Sequence, residues 1–179
     1  MYVQGLWRSE KMPDHANGKT ESDNMRDKVS EWLYGLGWKV DPMKHGETLW
    51  AMQASFFDTV VVIAHPSRYR GRFVLHLKRG FSDADYERLS SLPDDEKAQF
   101  IYKLYSKLCA TGMLFHLDGA PIPTSYFLEE SIFYESASQE KLARGLLNLT
   151  LGERLVHIIK MKALGTLLQP FELGVGVTN

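Results

Sequence analysis

The sequence predicts an α+β domain built on a five-stranded antiparallel sheet flanked by helices, in the order α-β-β-β-α-β-β-α. Three strand-like segments, residues 47–56, 58–65 and 72–78, follow one another with only short turns between them. Two more, residues 113–118 and 125–135, come after a long helical stretch. Consecutive strands without helices between them indicate antiparallel pairing, which is typical of an α+β domain.

The first helix is predicted from Met25 onward, where apolar residues recur at spacings of three and four along one helix face. These residues are Val29, Trp32, Leu33 and Leu36. Asp23 or Asn24 can cap the first turn. The following Asp41-Pro42 is a poor strand continuation, so no strand is predicted before residue 47.

The hairpin at residues 66–71 decides which side chains of its two strands are buried. We expect His65 to lie opposite Arg72, and the period of two then divides the strands between two faces. The face predicted as core carries Val60, Val62, Ala64, Phe73, Leu75 and Leu77. The other face mixes apolar and polar side chains and is predicted to meet a partner or a second copy. Its members are Trp50, Met52, Val61, Ile63, Val74 and His76.

The second half of the chain is predicted to hold the remaining helices. Ser82 caps a short helix at residues 83–92, and a longer one runs from about Asp94 to Thr111. Ser138 begins the last helix, which a capping-box pattern at residues 150–153 is expected to interrupt.

Composition indicates one globular domain, because 179 residues with 44% hydrophobic and 24% charged residues can bury a substantial core. We divide the chain into an N-terminal extension at residues 1–23, an α+β domain at 24–165 and a C-terminal arm at 166–179. The extension and the arm show no helical or alternating period.

Three features carry a family resemblance: residues 32–38 (Trp-Leu-Tyr-Gly-Leu-Gly-Trp), the strand at 60–64 with its hairpin, and the downstream helix. On these features, residues 25–164 resemble an uncharacterised family of prokaryotic domains of unknown function. The element order also resembles that of the type III secretion chaperone-like superfamily. That resemblance implies a small α+β protein that dimerises and binds partner polypeptides on a sheet or helix surface. It implies no active site, so no binding residue can be transferred by motif.

Charge and hydropathy exclude several classes of protein. A formal net charge of −1 and a pI of about 6.6 argue against a dedicated nucleic-acid binder. The longest apolar run, residues 60–64, is too short to span a bilayer, and the first residues lack the basic leader and apolar core of a secretory signal. Cys109 is the single cysteine, which fits a reducing compartment. We therefore expect a cytoplasmic protein that does not span a membrane.

One basic cluster is a candidate anion-binding site. Arg68, Tyr69, Arg70 and Arg72 lie together at the hairpin, where guanidinium groups could bind phosphate and the aromatic ring could stack on a base. The alternative interpretation is a solvated hairpin tip whose charges discourage strand pairing.

Residues with catalytic or metal-binding chemistry are few. His65, His76 and His116 fall on predicted strands, but their spacing matches no metal motif, so neither a metal nor a cofactor is expected. Cys109 could be a nucleophile if a histidine activated it, although its place beside Leu108 near a helix end favours a buried structural thiol.

The leading hypothesis from sequence is a non-enzymatic, dimeric protein that binds a polypeptide as a chaperone or adaptor does. The predicted partner-facing surface could equally be buried in a homodimer or beneath the terminal arms. A nucleic-acid or phosphate-binding module at residues 68–72 is the first alternative. An enzyme that uses Cys109 or the strand histidines is the second.

Overall fold

A computed structural model describes residues 20–119 and 122–165, which form one six-stranded antiparallel sheet and its covering helices. The strands are β1 (Lys39–Met43), β2 (Thr48–Phe56), β3 (Thr59–Pro66), β4 (Arg72–Gly80), β5 (Leu114–Asp118) and β6 (Ser125–Phe133). The helices are α1 (Glu21–Gly35), α2 (Asp83–Ser91), α3 (Asp94–Cys109) and α4 (Gln139–Ala163), with a 3₁₀ turn at Tyr134–Ser136. The strand order across the sheet is β1-β2-β3-β4-β6-β5. The α+β class and the antiparallel pairing are confirmed.

The predicted number of five strands is wrong, because β1 was missed. β1 contains Pro42, which supplies no amide donor, and this made the segment look unsuited to a sheet. β1 lies at the sheet edge and pairs only with β2 within the described residues, with Pro42 opposite Met52. Proline is tolerated in an edge strand because one side of that strand needs no ladder partner.

The first helix begins earlier than predicted, at Glu21 instead of Met25. Thr20 caps it: the Thr20 hydroxyl accepts from the Asp23 amide at 3.1 Å, and the Asp23 carboxylate accepts from the Thr20 amide at 3.2 Å. This reciprocal pair satisfies two amides that would otherwise lack partners. Residues 21–23, assigned from sequence to the extension, therefore belong to α1. Residues 1–19 of the extension and the arm at 166–179 lie outside the described residues.

The helices cover one face of the sheet. Gly145 of α4 packs against Leu75 of β4, Ser22 of α1 contacts His65 of β3, and α3 packs beside α4 and β5. The residues of this helix-covered face include Trp50, Met52, Ala54, Val61, Ile63, Phe73, Leu75, Leu77 and Leu128, all of them buried. The opposite face, which we call the open face, includes Ala51, Val62, Ala64, Val74, His76, Phe127 and Glu129.

The register of the β3–β4 hairpin differs from the predicted register by one residue. Ala64 lies opposite Val74 and Ile63 opposite Leu75, whereas the prediction placed His65 opposite Arg72. Because side chains alternate along a strand, a difference of one residue exchanges the two faces of one strand relative to the other. Val61, Ile63 and His65 therefore share the helix-covered face with Phe73, Leu75 and Leu77. The assignment of Val60, Val62 and Ala64 to the core face was wrong.

The last helix runs unbroken through the predicted interruption at residues 150–153. The Thr150 hydroxyl donates to the Leu146 carbonyl at 3.0 Å, so it bonds within α4 and does not cap a new helix. Gly152 is buried and lies where an added Cβ would be 2.5 Å from Met113 Cε. Its lack of a side chain permits close packing on the sheet.

Strands β4 and β6 pair along their whole length, from Arg72 opposite Phe133 to Gly80 opposite Ser125. Residues 81–124 connect β4 to β6 and include α2, α3 and β5. The two ends of this connection meet where the Phe81 amide donates to the Thr124 carbonyl at 2.9 Å. Within the described part of the chain, no helix combines the length and the apolar character needed to cross a membrane.

Candidate protein-binding surface

The residues predicted to form one partner-facing surface lie on two different faces. Trp50, Met52, Val61 and Ile63 are buried beneath the helices. Val74 and His76 lie on the open face. The prediction that these six residues share a face is wrong, because the hairpin register places the β2 and β3 members toward α1 and α4. Four of the six cannot contact a partner while the domain is folded.

The open face around His76 is partly covered by the protein itself. His76 Nδ1 lies 3.8 Å from a Glu129 carboxylate oxygen, and its ring centroid lies 5.2 Å from that of Phe127. The ring of His45, from the loop after β1, lies 6.4 Å from the ring of His76. That loop therefore reaches over the open face toward β4, and Val74 is buried. Around His76, the neighbouring Val62 and Phe127 are half-buried.

A row of exposed aliphatic side chains instead runs along the solvent side of α4. Leu147 is 56% exposed, Leu151 51% and Ile158 46%. Their spacings of four and seven residues place them in one row along the helix. We call this row the α4 ridge. Arg154, also exposed, lies in the same row between Leu151 and Ile158.

An exposed aromatic turn lies beside the α4 ridge. Phe57 stands in the turn between β2 and β3 with φ at +48° and 90% of its surface exposed. Residues other than glycine rarely adopt a positive φ, so this turn holds a large apolar side chain in a strained conformation. Phe56 stacks on Trp38, with ring centroids 5.5 Å apart, and contacts Phe57 at 4.7 Å.

Two grooves border the α4 ridge. The first, of about 540 Å³, lies between the ridge and the aromatic turn. Its lining includes Leu36, Trp38, Phe56, Phe57, Leu146 and Leu147. The second, of about 400 Å³, lies on the other side, between the ridge and the end of α3, and is lined chiefly by Met113, Leu151, Leu155 and Ile158. Together they present a mainly apolar surface with Arg154 at the edge of both.

Two ion pairs attach the second half of α4 to the rest of the domain. Arg79 Nε donates to Glu153 at 2.5 Å, and Lys160 Nζ donates to Asp85 at 2.7 Å. Partial burial favours the neutral acid of Asp85, but the hydrogen bonds from Lys160 and Ser82 outweigh it and lower the pKa of this carboxyl below its ordinary value. Lys160 and Asp85 thus link α4 to α2.

The arginine cluster is present, with its members in different settings. The Arg72 guanidinium lies over the Tyr69 ring at 3.8 Å and 6.0 Å from the centroid of Phe133. Arg68 lies 4.8 Å from the Tyr69 centroid, while Arg70 is exposed. Within the described ranges, none of the three arginines pairs with a carboxylate, and Arg72 Nε is buried without a hydrogen-bond partner.

His65 is fully bonded in the core. Its Nε2 donates to the Tyr69 carbonyl at 2.7 Å, and its Nδ1 lies 3.0 Å from the Ser22 hydroxyl and 2.5 Å from that of Tyr134. Because the carbonyl can only accept, Nε2 carries a proton, and the single lone pair of Nδ1 can accept from one of the two hydroxyls. Burial raises the pKa of Tyr134, which keeps its phenol protonated as a donor. This arrangement joins α1, the β3–β4 turn and the 3₁₀ turn.

Cys109 and the histidines do not converge. Cys109 is exposed at the end of α3, so the prediction of a buried thiol was wrong. His65 lies on the helix-covered face, whereas His76 and His116 lie on the open face beside Phe127. Among the described residues, no group of three or more potential metal ligands comes together. Glu129 and Glu130 point to opposite faces, as the alternation of strand residues predicts: Glu129 meets His76 and Glu130 accepts from Asn148.

A family match covers most of the domain. The model of the uncharacterised conserved protein family DUF2299 matches residues 25–157. The chain belongs to the DUF2299 family. The predicted resemblance to an uncharacterised family is therefore confirmed, and no curated protein matches this chain.

Two solved structures resemble this DUF2299 domain. One is an uncharacterised protein from Methanothermobacter thermautotrophicus, 18% identical, with a TM-score of 0.72 over 76% of this chain and 97% of that chain. It shows a shared fold and nothing further. The other is YbjN from E. coli, 13% identical, with a TM-score of 0.40 over 79% of this chain and 92% of that one, and this likeness carries no argument. The likeness to type III secretion chaperones stays a prediction.

Sequence reasoning missed the α4 ridge, although a signal for it was present. The apolar residues of α4 form two stripes: Leu142, Leu146 and Leu149 point into the core, while Leu147, Leu151 and Ile158 point outward. One stripe is enough to attach a helix to a sheet. The second stripe is the sequence feature that indicates an exposed apolar surface on this DUF2299 domain.

Proposed function

We propose that this DUF2299 protein is a non-enzymatic protein-binding domain that acts as a homodimer and holds an apolar polypeptide segment along the α4 ridge, in the manner of a chaperone or adaptor. The single observation that supports this most is the row of Leu147, Leu151 and Ile158, half-exposed between one groove of mixed lining and one apolar groove. Exposed contiguous apolar surface that is bordered by grooves is typical of sites where proteins bind one another.

The size of the ridge sets the size of the partner segment. Leu147 and Ile158 are eleven residues apart, which at about 1.5 Å per residue gives a ridge about 16 Å long. An amphipathic helix of about three turns would match this length and could place its apolar residues in both grooves. Fully burying a leucine or isoleucine side chain contributes about 1.5–3 kcal/mol, so half-exposed residues contribute about half of that each. The three together contribute about 2–5 kcal/mol, so contacts in the two grooves must supply the rest of a micromolar affinity, which needs about 8 kcal/mol.

Charge narrows the chemistry of the partner. Arg154 projects from the middle of the ridge and lines both grooves, and no ion pair of Arg154 occurs in the described part of the chain. An acidic residue within or beside the apolar segment would therefore complement this surface. The preferred ligand is an amphipathic, acidic-apolar peptide.

Selection from a library of short peptides tests this function. The expected consensus is two or three apolar residues at helical spacing with an acidic neighbour. Leu151→Glu should weaken binding of a selected peptide at least tenfold, because it places a carboxylate in the ridge. Leu49→Glu is the matched control, since Leu49 is similarly exposed but belongs to β2 and lines neither groove. Equal binding by wild type and Leu151→Glu would refute the proposal.

A second candidate function is anion or nucleic-acid binding at the hairpin. Arg72 Nε is buried without a hydrogen-bond partner, and the neighbouring Arg68 and Arg70 lack carboxylate partners in the described ranges. A phosphate group could accept from the exposed guanidinium groups of Arg68 and Arg70 beside Arg72. Binding of a labelled single-stranded RNA oligonucleotide should then fall with salt and be lost in Arg70→Ala. Salt-independent binding, or full binding by that variant, would exclude this function.

A further inference from the structure

We propose that two copies of this chain join through the free edge of β5 and the adjoining flank of α3, so that their sheets continue into one another. This inference rests on the homodimer of the proposed function and assigns its interface. The interface shares no residue with the α4 ridge or the lining of its grooves, so each can be tested without the other.

The two edges of the sheet differ in their readiness to pair. β1 carries Pro42 and the charged residues Lys39 and Asp41, features that discourage the addition of a further strand. β5, with the sequence Leu-Phe-His-Leu-Asp, has neither proline nor lysine. Within the described residues β5 pairs on one side only, with β6. Its other side is the edge that a second strand can join.

An aromatic stripe on α3 extends this edge into the helix layer. The Tyr105 ring lies 5.4 Å from the ring of Phe115 on β5. Tyr102 lies one turn earlier on the same side of α3 and is 73% exposed. Leu114, at the start of β5, is also exposed. Tyrosine is enriched at protein interfaces because it buries a large ring while its hydroxyl stays hydrated.

A twofold axis through the middle of β5 makes this surface complementary to itself. With His116 opposite His116 of the second copy, Phe115 of each copy lies opposite Leu117 of the other on the helix-covered face. Tyr105 is level with Phe115 along the strand direction. The three helical residues from Tyr105 back to Tyr102 span about 4.5 Å, and the one strand residue from Phe115 to His116 spans about 3.3 Å. Tyr102 therefore lies within about 1–2 Å of the level of His116, close to the axis. The two Tyr102 side chains would meet there.

The available area fits a dimer of modest affinity. The flank is about 24 Å long, the length of the 16 residues of α3, and about 20 Å high across the sheet and helix layers. This footprint is about 500 Å² per copy, or about 1,000 Å² in total, which is near the lower limit for a specific interface. An extended peptide added to β5 would cover the strand edge and leave Tyr102 exposed. A second copy covers both, and this is why we assign the edge to a second copy.

Cross-linking and mass measurement test the interface. In a Cys109→Ser background, Tyr102→Cys should be linked into dimers by a short bis-maleimide at least tenfold faster than Tyr34→Cys, an exposed control on α1. Light scattering should show a concentration-dependent dimer for wild type. For His116→Glu the dissociation constant should rise at least tenfold, because two carboxylates then face each other across the axis.

A wild-type protein that stays monomeric up to about 1 mM would refute both the homodimer and this interface, since a dissociation constant above that corresponds to less than about 4 kcal/mol of binding. A dimer that keeps its affinity in His116→Glu and shows equal cross-linking of both cysteines would refute only the interface. Circular dichroism must show that His116→Glu folds, and the cysteine pair decides the question if it does not. Peptide binding at the α4 ridge should be unchanged in His116→Glu, which separates failure of this inference from failure of the polypeptide-binding proposal.

Discussion

Gly145→Ala should destabilise the protein, because α4 lies very close to the sheet at Gly145. Helix propensity alone predicts the opposite. Alanine in place of glycine within a helix usually stabilises a protein by about 1 kcal/mol. A Cβ at Gly145, however, would lie 2.6 Å from Leu75 Cδ1 and 3.4 Å from Glu130 Cδ. Favourable contacts between carbon atoms occur at about 3.5–4.0 Å, so helix and strand must separate by about 1 Å or Leu75 must change rotamer.

The magnitude follows from the burial of Leu75. Leu75 is fully buried, and forcing an extra methyl group into a packed core typically costs about 1–3 kcal/mol. Subtracting the gain in helix propensity of about 1 kcal/mol leaves Gly145→Ala destabilised by about 0–2 kcal/mol. For a protein of this length, 1 kcal/mol corresponds to about 2–4 °C in Tm.

Urea unfolding of four variants would test this reasoning. Gly35→Ala is the control, because its Cβ would meet only the flexible end of the exposed Gln139, and it should be neutral or stabilising. Leu75→Val removes the obstructing methyl group and should cost about 1 kcal/mol alone. The double variant Gly145→Ala/Leu75→Val should lose less unfolding free energy than the two single variants lose together, by at least about 0.5 kcal/mol. Stabilisation by Gly145→Ala alone, or strict additivity, would show that α4 does not pack on β4 this closely.

Three further perturbations follow from other contacts. Lys160→Met should lower stability by about 1–3 kcal/mol at neutral pH. Because the pKa of Asp85 is lowered on folding from 3.8, the contribution of this pair is present above pH 4 and is lost as the pH falls through the folded pKa. The variant should therefore show a flatter decline in stability below about pH 4, and an unchanged acid slope in urea titrations would contradict this. Tyr134→Phe should cost about 1 kcal/mol in urea unfolding because His65 loses a donor, whereas a neutral effect would mean that Ser22 alone suffices. Phe57→Gly should raise Tm or leave it unchanged, because it relieves backbone strain of about 1–3 kcal/mol. The same variant should weaken binding of a peptide selected on the α4 ridge. A lower Tm would show that the turn is unstrained.

Sequence patterns predicted the elements that have strong local signals. The amphipathic face of α1, the cap at Ser82 and the strands around the β3–β4 hairpin are present with small shifts in their ends. β1 could not be recognised, because Pro42 is acceptable only at a sheet edge, and the position of a strand within a sheet is a tertiary property. The resemblance to an uncharacterised family and the α+β antiparallel class are confirmed, because both depend on these recurring elements.

The same patterns could not predict which of these side chains are exposed on the candidate surface. Alternation predicts two faces for β3 and β4, but which faces match depends on a one-residue register set by the turn at residues 67–71. Both faces of β3 are apolar, so composition could not choose between Val60 and Val61. Exposure of Cys109 likewise depends on where α3 packs against α4, since Leu108 beside it is fully buried. Only packing distinguishes the inner stripe of α4 from the ridge.

The pairing of β4 with β6 has a consequence for how this protein could have diversified. These strands form one long hairpin whose connection is the whole segment 81–124, which begins and ends at the Phe81–Thr124 hydrogen bond. A short turn could replace such a segment without breaking the remaining strand order. The replaceable segment carries β5, the flank of α3 and the Met113 side of the second groove, whereas Leu147, Leu151, Ile158 and the aromatic turn belong to the part that would stay. Under the two proposals above, loss of this segment would remove the surface assigned to subunit pairing and would leave the groove between the α4 ridge and the aromatic turn.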